Sequence, residues 1–163
     1  MKRVVWELYQ LPEREYQYAS IAVLEGMKTQ LTPDDLPFLR QLIESKSWWD
    51  SADAIAPRIV GPIVMEHRRA GTVMMLDWSQ ADNIWTNRAS ILHQLKFKHH
   101  TDTAVLSPVI LEHVDSSEFF LQKSIGWALR EYAKTDAEWV YDFVSVHPLK
   151  PLSKREAWKN IKK

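Results

Sequence analysis

An aromatic residue near the start of a helix-like stretch recurs at Trp49, Trp85 and Phe120, a period of about 35 residues. Tyr16 stands about one such step earlier, and a cation follows two of them by three residues, Arg88 after Trp85 and Lys123 after Phe120. A period of this length with two helices per unit predicts a helical solenoid. One helix pair cannot bury its apolar face alone, so it must stack on the next. Aromatics occurring once per unit then fall on equivalent helices, either as repeated core positions or along the inner face of the curve.

Composition agrees with helices. Only 4 of the 163 residues are glycine and 8 are tryptophan, and so few turn signals disfavour a sheet. Helix starts are written into the chain. Thr32-Pro33-Asp34-Asp35 supplies an N-cap hydroxyl, a proline in the first turn and two acids beside the helix dipole. Ser47, Asp82 or Asn83, Ser116 or Ser117, Asp136 and Ser153 are further expected caps. The expected helices span residues 4–11, 13–28, 33–44, 48–67 with a kink or break at Pro57, Gly61 and Pro62, then 73–80, 84–98, 101–112 across an unexplained Pro108, 118–134, 136–146 and 154–161. No linker divides them, so residues 1–163 read as one all-α domain.

The charges balance, 21 Lys and Arg against 21 Asp and Glu, so no net field draws the chain to a polyanion and any such footprint must come from local segregation. The basic clusters at His67-Arg68-Arg69, residues 96–100 and residues 154–163 read as solvated surface. Cysteine is absent, which excludes disulfides and thiolate metal sites and suits a reducing cytoplasm. The six histidines show no metal-ligand spacing. No apolar run approaches a membrane span.

The densest chemistry lies in K-S-W-W-D-S-A-D, residues 46–53. On a helix Trp49 and Asp53 share a face, which sets an indole beside a carboxylate. Both attract positive charge, so the pair suits a flat cationic or electron-poor ligand. A core tryptophan beside a solvated acid would read the same way.

In chain order, L-P-E-R-E-Y (11–16), K-S-W-W-D-S-A-D (46–53), D-N-I-W (82–85), residues 92–98, E-F-F-L-Q-K-S-I-G-W-A-L-R-E-Y (118–132) and P-L-S-K-R-E (151–156) closely resemble the AlkD-like DNA alkylation repair proteins, HEAT-like-repeat DNA glycosylases. The resemblance covers almost the whole chain. It implies a HEAT-like solenoid with a concave DNA-binding groove, no metal or other cofactor, and duplex DNA carrying 3-methyladenine or 7-methylguanine as substrate. It also implies roles. Asp53 would be the catalytic carboxylate, with Trp49 and Trp127 flanking the damaged nucleotide. Arg88, Lys96, Lys98, Arg130 and Phe120 would bind DNA, although for Arg88 an ion pair with a neighbouring acid is the competing reading. Phe119 reads as core, as do Trp6, Trp78, Trp139 and Trp158, while His99-His100 reads as surface and Gly126 as a close helix approach.

An alkylated purine carries its own positive charge and leaves readily. A fixed carboxylate would stabilise the oxocarbenium-like sugar, and indole faces would hold the cationic base. Typical members carry further N-terminal helices before the segment matching residues 6–16, and their absence here would leave Val4, Val5, Trp6 and Leu8 partly uncovered and prone to self-association. Two alternatives follow: a catalytically weak or inactive paralogue that binds damaged or distorted DNA, and a helical scaffold that binds protein. The expected location is cytoplasmic and nucleoid-associated.

Overall fold

The structure, a computed structural model, describes residues 2–160, which contain helices and turns and no strand. The helices are α1 (Lys2–Tyr9), α2 (Arg14–Gly26), α3 (Leu36–Glu44), α4 (Trp49–Ile55), α5 (Gly61–Glu66), α6 (Arg68–Ser79), α7 (Ile84–Leu92), α8 (Thr103–Leu111), α9 (Phe119–Tyr132), α10 (Ala137–Val146) and α11 (Pro151–Ala157). They form a HEAT-like helical-repeat solenoid. One row, α2, α4, α7, α9 and α11, runs through successive contacts, while α3 and α6 back onto α7. One hydrophobic cluster threads the layers from Val5 to Ala157, with Leu39, Ile55, Trp78, Ile91 and Leu129 fully buried within it.

Local chemistry explains most of the ends. Thr32 and Asp35 form a reciprocal capping box, Thr32 N–H donating to Asp35 Oδ2 at 2.8 Å, and a 3-10 turn over Pro33–Asp35 leads into α3. Asn83 caps α7, Asp102 caps α8 and Asp136 caps α10 through side-chain oxygens. Two expected serine caps do other work. The N-cap of α4 is Trp48, and the Ser47 hydroxyl turns back to donate to the Ile43 carbonyl. Ser153 lies inside α11, where its hydroxyl donates to the Gln122 carbonyl of α9 at 3.0 Å. The end at residue 161 lies outside the described residues.

The expected break at Pro57 is a π-helical turn over Ala56–Val60 that joins α4 to α5 without interrupting the helical path. Proline has no N–H, so the carbonyl of Asp53 loses its partner four residues on, and a π-turn absorbs the defect. Gly61 follows because a Cβ there would lie 2.4 Å from the His93 carbonyl oxygen. His93 is buried and hydrogen-bonded through Nδ1 to the Ser90 carbonyl at 2.6 Å, and burial pulls its pKa down to about 4.

At the N-terminal end Val5 is fully buried while Val4 is 62% exposed. Trp6, Trp139 and Trp158 pack partly buried against the core and Trp78 is enclosed. Among the described residues no helix is long and apolar enough to cross a membrane.

Candidate nucleic-acid site

The helices α4, α7 and α9 lie side by side with their N-terminal ends level, which the aromatic contacts establish. Trp48, the N-cap of α4, meets Trp85 of α7 and Phe120 of α9 at ring-centroid distances of 6.0 and 5.8 Å, and Trp85 meets Phe120 at 4.9 Å. Phe119 leans on Phe120 at 5.4 Å. The periodic aromatics therefore do converge, but through Trp48 in place of Trp49. Trp85 is nearly buried, whereas Trp48, Trp49 and Phe119 each leave about half or more of their surface in solvent. Phe119, expected in the core, is exposed because it is the first residue of α9 and points past the end of the cluster.

Beside this cluster lies an open recess of about 290 Å³ lined by Trp49, Arg88, Phe119, Phe120 and Lys123. Both cations of the aromatic-plus-cation repeat are thus brought to one place. They differ in state. Arg88 is buried and makes a two-pronged ion pair with Asp53, Nε to Oδ1 at 2.7 Å and Nη2 to Oδ2 at 2.8 Å. Its remaining terminal nitrogen donates to the Phe120 carbonyl. The ion pair weighed as the competing reading for Arg88 is what forms, and its side chain is 5% exposed; the phosphate contact that the resemblance implies would have to be made from the recess that Arg88 lines. A planar guanidinium matches a carboxylate fork for fork, and a buried charge left unpaired is costly. Asp53 does not line the recess itself, but it is not turned to bulk water either. Its side chain is 12% exposed and fixed by Arg88, which does line it.

Loop chemistry holds Trp49 open. Lys46 adopts a left-handed backbone at φ 46°, its ammonium donates to the carbonyls of Gln10 and Leu11, and Arg14 donates to the Lys46 carbonyl at 3.1 Å. Arg14 and Tyr18 also grip Asp50, the neighbouring acid. Burial pushes the Asp50 pKa up, but hydrogen bonds from Arg14, Tyr18 and the Ser51 N–H outweigh it and hold it below the usual carboxylate range. The turn before α4 is thereby tied down at both its lysine and its first acid.

The remaining expected site residues fall elsewhere. Trp127 shares the face of α9 with Phe120 and Lys123 by helical spacing, yet it is half-buried against the core and does not line the recess. Lys96 is exposed beside Arg58, Pro62 and Phe97 at a shallow hollow. Lys98, with φ 52°, borders a separate cavity of about 270 Å³ that Leu95, Tyr132 and Lys134 help enclose past the C-terminal ends of α7 and α9. Arg130 donates to Glu156 at 2.8 Å. Glu156 also receives Lys123 at 3.1 Å and Lys159 at 2.8 Å. Lys159 and then Lys123 hold its carboxyl down at about 2 against the opposing effect of burial. Gly126 makes this possible. A Cβ there would lie 2.4 Å from Glu156 Cβ, so only glycine lets α11 approach α9 so closely. The sequence offered Lys123 through the repeat; Glu156 appeared in it only as the last residue of P-L-S-K-R-E, with no role attached. His99 and His100 are exposed, and no group of three or more metal-ligating side chains occurs among the described residues.

The helical stack that carries this aromatic recess, the acid–guanidinium pair and the flanking cations has the architecture of a helical-repeat protein. The family follows from comparison. The model of the DNA alkylation repair enzyme family matches residues 1–161, and the chain belongs to that family. A solved structure described as a predicted DNA alkylation repair enzyme from Enterococcus faecalis is 32% identical, with a TM-score of 0.91. The match covers 98% of this chain and 74% of that one. No curated protein matches significantly.

Proposed function

We propose that the protein is a DNA glycosylase that hydrolyses the N-glycosidic bond of cationic N-alkylated purines in duplex DNA, 3-methyladenine and 7-methylguanine among them. The observation that carries this reading is the Asp53 carboxylate, held rigidly by Arg88 next to an open recess walled by Trp49, Phe119 and Phe120. As the bond breaks, positive charge moves from the base to the sugar. A fixed negative group is then worth more than a mobile one, because nothing has to reorganise as the charge develops. Each Asp53 oxygen accepts one bond from Arg88 and keeps a second lone pair that can orient an attacking water. Trp49, 47% exposed, supplies a ring face to a cationic base. The recess is open and shallow, which favours excision against a surface over insertion of the base into a closed pocket. Lys96, Lys98 and Arg130 would meet backbone phosphates outside the recess. The location that goes with this reading is the cytoplasm beside the nucleoid, where such a substrate would be met. Of the residues expected to be uncovered at the N-terminal end, Val4 is exposed, Trp6 and Leu8 are half-buried and Val5 is buried; self-association there would run through Val4, and light scattering would detect it as a concentration-dependent mass.

The same pairing favours a second reading. An acid whose charge is matched by a buried guanidinium is also what a purely structural bridge looks like, and such a chain would bind distorted duplex without cleaving it. Incubation with methylated duplex and chromatography of the released bases separates the two. Free 7-methylguanine above the spontaneous rate supports the glycosylase; salt-sensitive duplex binding with no released base supports the binder.

A further inference from the structure

Once Arg88 is committed to Asp53, the recess needs another cation if a phosphodiester is to be held there. The candidate is on α9. Lys123 lines the recess beside Trp49 and Phe120, and its side chain is 37% exposed, against 5% for Arg88. Its ammonium carries three protons, and Glu156 Oε1, 3.1 Å away, accepts from it, so donors remain for an anion.

Glu156 is more than a neutralising partner. Lys123, Arg130 and Lys159 all converge on this one carboxylate. Lys123 and Lys159 by themselves already outnumber this one acid, in contrast to the one-for-one match at Asp53. The acid is also immobile. Glu156 is 4% exposed, its Cβ is pressed against Gly126 of α9, and Ser153 on the same helix bonds the Gln122 carbonyl. A lysine tethered to such a group loses less freedom on meeting a phosphate than one on an open surface.

We propose that Lys123 is the phosphodiester-binding cation at the recess and that Glu156 is its positioning residue. The inference rests on the DNA reading above and assigns to α9 a role that the sequence gives to Arg88 on α7. The ligand is the sugar–phosphate backbone, without base selectivity.

The test is fluorescence anisotropy of a labelled undamaged duplex titrated with the full chain over a range of salt, with melting temperatures measured in parallel. Lys123→Ala is expected to lower the slope of log affinity against log salt by about one, and Lys123→Arg to restore it. At fixed salt, the loss caused by Lys123→Ala, about fivefold to tenfold for one phosphate contact, is expected to shrink below about twofold in a Glu156→Gln background. Glu156→Asp, which keeps the charge and withdraws it by one methylene, serves for the same comparison if Glu156→Gln does not fold. An unchanged slope in Lys123→Ala overturns the phosphate contact. Equal losses with and without Glu156 overturn the positioning role. A native chain that binds no duplex at any salt defeats the DNA reading and this inference together, whereas native binding that ignores Lys123 defeats this inference alone.

Discussion

Two acids, the half-buried Asp53 on α4 and the buried Glu156 on α11, answer to different numbers of cations. Asp53 meets one guanidinium, fork to fork and nearly out of solvent. Glu156 meets three cations that are themselves between a quarter and a half exposed. The first arrangement fixes the geometry of the carboxylate, which is what the proposed action on one atom of a substrate calls for. The second leaves a positive surplus facing solvent, which is what a polyanion requires. Orientation and attraction are thus separated in space, with the aromatic recess between them.

The contrast predicts unequal costs. Arg88→Met keeps the volume but leaves Asp53 buried and unpaired, and is expected to cost about 3–5 kcal/mol in urea unfolding. Glu156→Gln removes the acid from cations that can turn to water, and is expected to cost less, about 1–3 kcal/mol. Equal costs would break the comparison. Gly126→Ala forces a methyl group into Glu156 Cβ and the Ser153 carbonyl, and is expected to cost about 1–3 kcal/mol through overpacking while prising α11 from α9. Lys159→Ala removes a half-exposed partner, and a change of only about 0–1 kcal/mol is expected.

Acid titration of stability sharpens the same contrast. The Glu156 carboxyl is held at about 2 in the folded chain. Because its folded pKa is depressed, its contribution is complete above the ordinary carboxylate range and is lost as pH falls from about 4.5 toward about 2. His93 titrates in a different window. Its folded pKa of about 4 lies below the unfolded value of 6.5, so the unfolded chain takes up the proton first and stability falls as pH drops from about 6.5 to about 4. Melting temperatures followed from pH 7 downward should therefore show two declines, the upper one smaller in a His93 variant, with His113 contributing the rest, and the lower one smaller in Glu156→Gln, with Asp35, Glu44 and Asp50 contributing the rest.

Much of the fold could be read in the chain because its signals are local. Thr32-Pro33-Asp34-Asp35 names a helix start by residues that touch each other, and the 35-residue aromatic period names a stack because every unit has the same burial problem. The convergence of Trp85 and Phe120 followed from that period. What could not be read was which member of a neighbouring pair faces which way. Trp48 and Trp49 are about equally exposed and differ in position around the start of α4; which of them meets Trp85 and Phe120 and which lines the recess is set by the turn that Lys46 and Arg14 pin to the α1–α2 connection and α2. Arg88 as phosphate ligand and Arg88 as partner of Asp53 are both readings of one arginine, and only the tertiary distance reveals the second. The role of Glu156 depends on the close approach at Gly126, which the glycine hinted at without saying what it approached.

The most direct test of excision by Asp53 is single-turnover release of 7-methylguanine from methylated duplex by the native chain and by Asp53→Asn, at a temperature where both are folded. Asparagine keeps the shape and one acceptor for Arg88 but removes the charge. A fall of about a hundredfold or more in the release rate, with duplex affinity held within about threefold, is the predicted result. Release by Asp53→Asn at the native rate would contradict it and leave the Asp53–Arg88 pair as a structural bridge between α4 and α7.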